Sequence, residues 1–256
     1  MISVKKNELK HVLMSLGVSS GRTIFVHSSL GMIFGKQKDP NKFLYDCFNE
    51  IVGDSGTIVV PTFTNNCCHG LTFDPNKTES EVGVFSNWIM KLDNAKRSLH
   101  PIHSVSAIGD KADEITQQVS ESSFGKNSTF SKLIELDALI LMVGIGLENA
   151  TLIHQVEEDM QVPYRYYKNF KITTFNNGVS KQTTTPYYAR FLDRCISYRF
   201  DLMQQRLESY NQYQSLRIGW GNICSTNFID FYETFSQEVN KDPYYLINKE
   251  KYIESM

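Results

Sequence analysis

Three short runs constrain this chain more than anything else in it: "TIFVHSSL" from Thr23, "GTIVVPTFT" from Gly56 and "ALILMVGIG" from Ala138. Each is an unbroken apolar stretch that stops at small polar residues, a proline or glycines. Apolar runs of that length, bounded by turn residues, are the pattern of strands buried in a sheet. Helical periodicity fills the space between them. Leu9, Val12, Leu13 and Leu16 fall on one face of an N-terminal helix. Phe43, Leu44, Cys47, Phe48 and Ile51 do the same ahead of Gly53, which closes the helix. "VGVFSNWIMKL" and "TFSKLIEL" read as helices, as does "DKADEITQQV" with Asp110 as its N-cap. "HSVSAIG" reads as a short strand ending at Gly109. Strands alternating with helices through about residue 160 predict an α/β architecture. The polar segments "HSSL", "PTFT" and "GIGLENATLIH" all follow strand C-termini, the edge where open α/β sheets build their sites.

Beyond residue 160 the composition changes. Twelve of the 13 tyrosines lie there, from Tyr164 to Tyr252. "KITTFNNGVSKQTTT" predicts a β-hairpin turning at Asn177-Gly178. "PYYARFLDRCISYRFDLMQQRLESY" reads as one long helix, and "STNFIDFYETFSQEV" as another capped by Ser225 or Thr226. The expected organisation is an α/β core over residues 1–160 with a tyrosine-rich lobe over 161–256 packed on it as one compact unit.

The chain has 256 residues, 41% hydrophobic and 21% charged, with a net charge of −2. That is ample for a sizeable core and unlike disordered or fibrous chains. No basic excess points to a nucleic-acid partner. No apolar run long enough for a signal peptide or membrane span occurs. The five cysteines are Cys47, Cys67, Cys68, Cys195 and Cys224, odd in number and without a CxxC pair, which leads us to expect a reduced, cytoplasmic compartment.

Six histidines are present, and "VHSSL", "RSLHPIHSV" and "TLIHQVEE" hold four of them. On a helix, Glu157 and Glu158 lie three and four residues after His154, on its side. Three readings stay open at this point. The first is a metal site from His154 with a glutamate, joined by His100 and His103; zinc needs three or four converging ligands, and the HExxH pattern is absent. The second is a general base, because an imidazole titrates near neutrality and a carboxylate one turn away fixes its tautomer. The third is an ordinary polar helix face. Two further arrangements are weaker. Cys67-Cys68-His69 places a thiol beside an imidazole, although sequence neighbours rarely point at each other. "HSSLGMIFGK" offers hydroxyls and amides after a strand, where a phosphate or amide chain could be held.

Taken in order, "VHSSL", "GTIVVPTFT", "TFDPNKTESEVGVFSNW", "RSLHPIHSVSAIG", "FGKNSTFSKLIELDALILMVGIG" and "NATLIHQVEE" resemble the aminoglycoside 3-N-acetyltransferase family. They cover roughly residues 20–160; the last hundred residues match less clearly. The resemblance implies an α/β/α sandwich of that family's own type. It implies direct acyl transfer from a coenzyme A thioester to a primary amine of a sugar, with no acyl-enzyme and no metal. It assigns His154 as base and Glu157 as its partner, Glu158 being the other candidate, with Thr151 or a nearby backbone N–H for the oxyanion. It places His27, Ser28, Ser29, Leu30, Gly35, Arg97, Ser98, His103, Ser104, Val105, Phe124 and Gly125 along coenzyme A. Arg97 suits a phosphate by the geometry of its fork. Thr62, Asp74, His100, Tyr164 and Arg165 are expected at the acceptor, and a homo-oligomer is allowed.

The acceptor is less constrained. From Thr151 onward the chain has 12 Lys/Arg and 12 Asp/Glu, which does not advertise a trap for polycations. Tyrosines stack on bases and sugar faces, and Arg165, Lys168 and Arg190 between them suit a diphosphate. The expected acceptor is therefore a nucleotide-linked amino sugar, with an aminoglycoside as the alternative and a His/Glu metal hydrolase as the reading of another class.

Overall fold

A computed structural model describes residues 4–256. In chain order its elements are α1 (Lys6–Ser15), β1 (Thr23–Ser28), α2 (Gly31–Phe34), α3 (Pro40–Val52), β2 (Thr57–Pro61), α4 (Val84–Met90), β3 (Lys96–Arg97), β4 (Val105–Gly109), α5 (Ala112–Thr116), α6 (Thr129–Glu135), β5 (Leu139–Val143) and α7 (Ile153–Asp159). There follow β6 (Arg165–Asn176), β7 (Val179–Arg190), α8 (Phe200–Ser209), β8 (Gln214–Ile218), β9 (Gly221–Asn227), α9 (Phe228–Lys241) and α10 (Lys249–Glu254). Short 3-10 turns occupy Asn65–His69 and Leu147–Asn149.

The central sheet has seven strands in the order β3-β4-β2-β1-β5-β9-β8. The three apolar runs are its centre: β1 pairs in parallel with both β2 and β5, and antiparallel strands extend the sheet on either side. Strand periodicity sends alternate residues to opposite faces. Ile24, Val26, Ile58, Val60, Leu139 and Leu141 pack with Leu9 and Leu13 of α1, Phe48 of α3 and Phe85 of α4. Phe25, Val59, Ile140 and Met142 pack with Phe130 of α6, Val156 of α7 and Phe228, Phe231 and Phe235 of α9. Helices therefore cover both faces, which is why these runs are apolar throughout rather than alternating. Fully burying one such side chain contributes about 1.5–3 kcal/mol. The α/β/α sandwich expected from the sequence is the fold observed.

The second half departs from expectation in three places. The predicted hairpin is present and turns at Asn177 (φ 50°) and Gly178 (φ 79°), the left-handed pair that a two-residue turn demands. It is longer than the motif suggested, pairing Arg165 with Arg190 at its base. Pro186–Arg190 are consequently strand, not helix, and only Phe200–Ser209 of the expected long helix is helical. The register set by the turn, with threonines at 183–185, outweighs the helical spacing of the later apolar residues. Ser225 and Thr226 lie in β9 rather than capping α9, whose N-cap is Asn227. Asp110 does not cap α5 either; the N-cap is Lys111, whose N–H donates to Thr57 Oγ1 at 2.8 Å.

The boundary expected at residue 160 is cut across by the sheet, because β8 and β9 extend it beside β5. Among the described residues only the β6–β7 hairpin stands apart, as a separate two-stranded sheet. A small cluster of Cys67, Phe73, Ile102 and Ile172 binds it to the loop after β2, with Phe73 N–H donating to Thr173 at 2.9 Å. The hairpin is thereby laid beside α7, which begins one short turn after β5.

Candidate active site

The geometry around α7 begins from helix spacing. His154 and Glu157, three residues apart, stack on one side, and His154 Nδ1 lies 2.7 Å from Glu157 Oε2. Glu157 is fully buried and His154 is a quarter exposed. A carboxylate accepts only, so Nδ1 carries the proton and the Nε2 lone pair is left as the basic one.

Glu157 is in turn held from two directions. Tyr198 O–H donates to Oε1 at 2.7 Å. The Arg165 guanidinium pairs with Oε2, its Nε at 2.8 Å. Arg165 is fixed by donating to the Tyr188 carbonyl at 2.8 Å and to the Tyr198 hydroxyl at 2.5 Å. Its Nη2 also stands 3.0 Å from His154 Nδ1; with both atoms protonated this is a contact between donors, not a hydrogen bond.

The charges follow. Burial alone pushes the Glu157 carboxyl up, but Arg165, His154 and the Tyr198 hydroxyl together hold it below the usual carboxylate range. His154 is lowered by burial first and by Arg165 second, and Glu157 only partly offsets them. The site is a neutral imidazole clamped through an ionised carboxylate, with a cation behind that disfavours the imidazolium.

A cavity of about 400 Å³ opens beside His154. Its wall is one face of the hairpin, with Tyr166, Lys168, Phe170, Tyr187 and Ala189, and Arg165, Arg190, Leu192, Tyr198 and His69 also line it. Across the imidazole, Phe124 meets His154 edge to face at 5.5 Å. His103 packs on Phe124 at 4.8 Å and Tyr187 at 5.1 Å, and its Nδ1 lies 2.8 Å from Ser123 Oγ. Burial keeps His103 well below the usual histidine range.

Glu158 goes elsewhere. It is buried, receives the Tyr167 hydroxyl at 3.3 Å and lines a different cavity with Ser122, Gly125 and Asp159. Of the two candidate carboxylates, the geometry pairs Glu157 with His154. Thr151 is half-buried in the turn ahead of α7, and its carbonyl accepts the His154 N–H at 3.0 Å.

The residues expected along coenzyme A fall into two groups. Ser28, Ser29 and Leu30 lie partly or fully exposed at the C-terminal end of β1, Gly35 is exposed at the end of α2, and Gly125 is half-buried. Ser29 N–H is not free, because it donates to the Val143 carbonyl at 2.8 Å. His27 is buried against Phe25, its pKa pushed down to about 4 by burial, and its Nε2 has no hydrogen-bond partner among the described residues. An orphaned polar atom beside exposed hydroxyls at this sheet edge fits an amide-bearing chain.

The other group is spent on the protein itself. Arg97 donates to Ser104 Oγ at 3.1 Å and to the carbonyls of Thr62 and Thr78, and it lies over the Phe73 ring. Its fork is occupied, so it does not offer the phosphate contact expected of it. Ser98 accepts the Val105 N–H, Ser104 donates to the Thr62 carbonyl, and both are buried, as is Val105.

Among the expected acceptor residues, Arg165 reaches the cavity beside His154. Tyr164 is fully buried against Tyr244 and Tyr252, a core residue. Thr62 is buried in the Ser104 knot. His100 Nδ1 accepts the Ile102 and His103 N–H groups, and Asp74 accepts the Asn76 N–H in the loop after β2. These four do not line that cavity.

Nothing in the sequence marks Tyr198, because its stretch reads as helix, and Lys168 and Arg190 stand out in it by charge alone. Among the described residues no three His, Cys, Asp or Glu side chains converge on a metal position. The cysteine alternative fails on charge: burial raises Cys67 and pushes Cys68 up to about 11, away from a reactive thiolate.

A neutral imidazole held by a buried carboxylate, beside a cavity on an α/β fold, is an arrangement chemically suited to taking up a proton. The family model described as aminoglycoside 3-N-acetyltransferase matches residues 25–238, and the chain belongs to that family. An aminoglycoside N(3)-acetyltransferase IV of Salmonella sp is 30% identical over 163 residues, covering 62% of this chain and 61% of that protein. The crystal structure of the aminoglycoside acetyltransferase AAC(3)-IVa, as a histidine-to-alanine mutant in complex with apramycin, superposes with a TM-score of 0.80 at 26% identity over 95% of each chain. AAC-IIIb in a binary complex with CoASH superposes at 0.82 with 19% identity, over 94% of this chain and 97% of that one.

Proposed function

We propose that this protein transfers an acetyl group, or a similar acyl group, from a coenzyme A thioester to a primary amine of an amino sugar. The amines of aminoglycosides are the acceptors that the comparisons favour. The observation that carries the reading is the His154–Glu157 pair at 2.7 Å beside a cavity, with Arg165 and Tyr198 fixing the carboxylate. The family's name and the coenzyme A and apramycin complexes of its structural neighbours support it.

The chemistry follows from the pair. A sugar amine is mostly protonated near neutrality and its lone pair must be freed before attack. The ammonium proton is given up to solvent first; as the N–C bond then forms at the thioester carbonyl, His154 Nε2 takes a second proton from that nitrogen. The C–S bond breaks, and the proton passes on to the departing sulfur. Glu157 holds the tautomer and stabilises the transient imidazolium. Ser28 and Ser29, with the orphaned Nε2 of His27, are the residues suited to the amide-bearing arm of coenzyme A.

The nucleotide-linked acceptor expected from the tyrosine-rich segment finds no support in the comparisons. Part of its basis is gone as well, because Tyr164, Tyr188, Tyr213 and Tyr252 are buried in the core. A thiol-release assay with acetyl-CoA and an apramycin- or gentamicin-class amine tests the proposal. Release that requires both substrates and yields N-acetylated sugar is the expected result; release without amine, or none with any amine, overturns it.

A further inference from the structure

The cavity beside His154 has an unexpected sign. Its lining includes Lys168, Arg190 and His69, and Arg165 reaches it, yet no Asp or Glu is among the lining residues. The Arg165 charge is met by Glu157. Lys168 and Arg190 pair with no carboxylate among the described residues. Lys168 Nζ instead rests 5.0 Å from the centre of the Phe170 ring, and Arg190 is close enough to the imidazole to help lower the His154 pKa. A polycation in this cavity would meet like charge. An acceptor carrying an anion would meet two unpaired donors able to make charge-assisted hydrogen bonds.

We infer that Lys168 and Arg190 form an anion-accepting subsite of the acceptor pocket, so that among amines the preferred acceptors are amino sugars bearing a carboxylate or a phosphate. The inference rests on the acyl-transfer reading for what happens to the amine, but not for the charge selection itself. Pairing fixes where each cation leaves the hairpin. Lys168 lies opposite Tyr187 on the wall face of the hairpin and Arg190 opposite Arg165 at its base, on the other face by strand alternation, so the two cations line the cavity from two sides. The tyrosines at this wall, Tyr166 and Tyr187, offer faces for the sugar ring.

The test compares glucosamine, 2-amino-2-deoxyglucuronate, glucosamine 6-phosphate and apramycin in two measurements. The first is thiol release with acetyl-CoA. The second is calorimetric binding to the His154→Ala protein, which reports charge selection without turnover. We expect the anion-bearing sugars to exceed glucosamine about tenfold in kcat/KM and in affinity, with apramycin below them. The preference should disappear in Lys168→Gln/Arg190→Gln and survive in Lys168→Arg/Arg190→Lys. The carboxylate and phosphate arms identify which anion the subsite fits better. Equal binding of neutral and anionic sugars overturns the inference, as does a preference that survives removal of both charges. Selective binding with no thiol release supports the subsite and overturns the acyl-transfer reading instead.

Discussion

At the scale of single residues, the site rests on one imidazole whose protonation is set from both sides. In the proposed reaction His154 acts only when neutral. Burial and Arg165 lower its pKa below the usual 6.5, so the acid limb of kcat/KM should lie below that value, with activity lost as pH falls through it. Glu157→Gln removes the group that raises His154. That limb should then move to still lower pH while kcat falls, because the imidazolium loses its charged partner; a limb moving upward in a pH–rate profile would contradict the pairing. The His154–Glu157 contact was legible because helical spacing alone puts offsets of three on one side. Tyr198 was not, since it reaches Glu157 from 41 residues away out of a stretch with helical apolar spacing. Arg97 shows the opposite error. Its residue type suits phosphate, but the loop after β2 folds back and its carbonyls occupy the fork.

At the scale of elements, positioning is done by close approaches that side chains would block. Gly144 follows β5 with φ 74°, and a Cβ there would stand 2.3 Å from the Ser29 carbonyl oxygen. The end of β5 and the segment after β1 can be this near only without a side chain. Gly144→Ala should cost on the order of 2 kcal/mol or more in denaturant unfolding, from backbone strain and the forced separation together. A variant within about 0.5 kcal/mol of the parent would show that the segment shifts freely. The apolar strands and the Asn177-Gly178 turn were readable because local chemistry dictates them. The length of the hairpin was not, since cross-strand pairing decides it.

At the scale of the molecule, the two halves share one sheet and one core. Phe228, Phe231 and Phe235 of α9 pack against the same core as Phe25 and Met142, and β9 pairs with β5. A fragment of residues 1–160 should therefore show no cooperative unfolding transition, because the edge of β5 and its core face would be uncovered; a sharp transition would restore the boundary at 160. The buried histidines impose a pH limit on the whole fold. The folded-state pKa of His27 is pushed down to about 4, so the unfolded chain binds more protons between its own value near 6.5 and 4. The stability that neutral His27 contributes is present above about pH 6.5 and lost as pH falls toward 4, about 3 kcal/mol from this residue alone. His100, at about 4, and His103, well below the usual range, act in the same direction. Denaturant midpoints should fall steadily from pH 7 to pH 5.

The central claim is that His154 is the general base, and one comparison tests it most directly. Thiol release by His154→Ala is measured against the parent at saturating acetyl-CoA and amine, with acetyl-CoA binding measured on the same preparations. A loss of turnover on the order of 10²–10⁴-fold is predicted, with acetyl-CoA affinity within about threefold of the parent. Turnover near that of the parent, in a variant that binds acetyl-CoA normally, would contradict it.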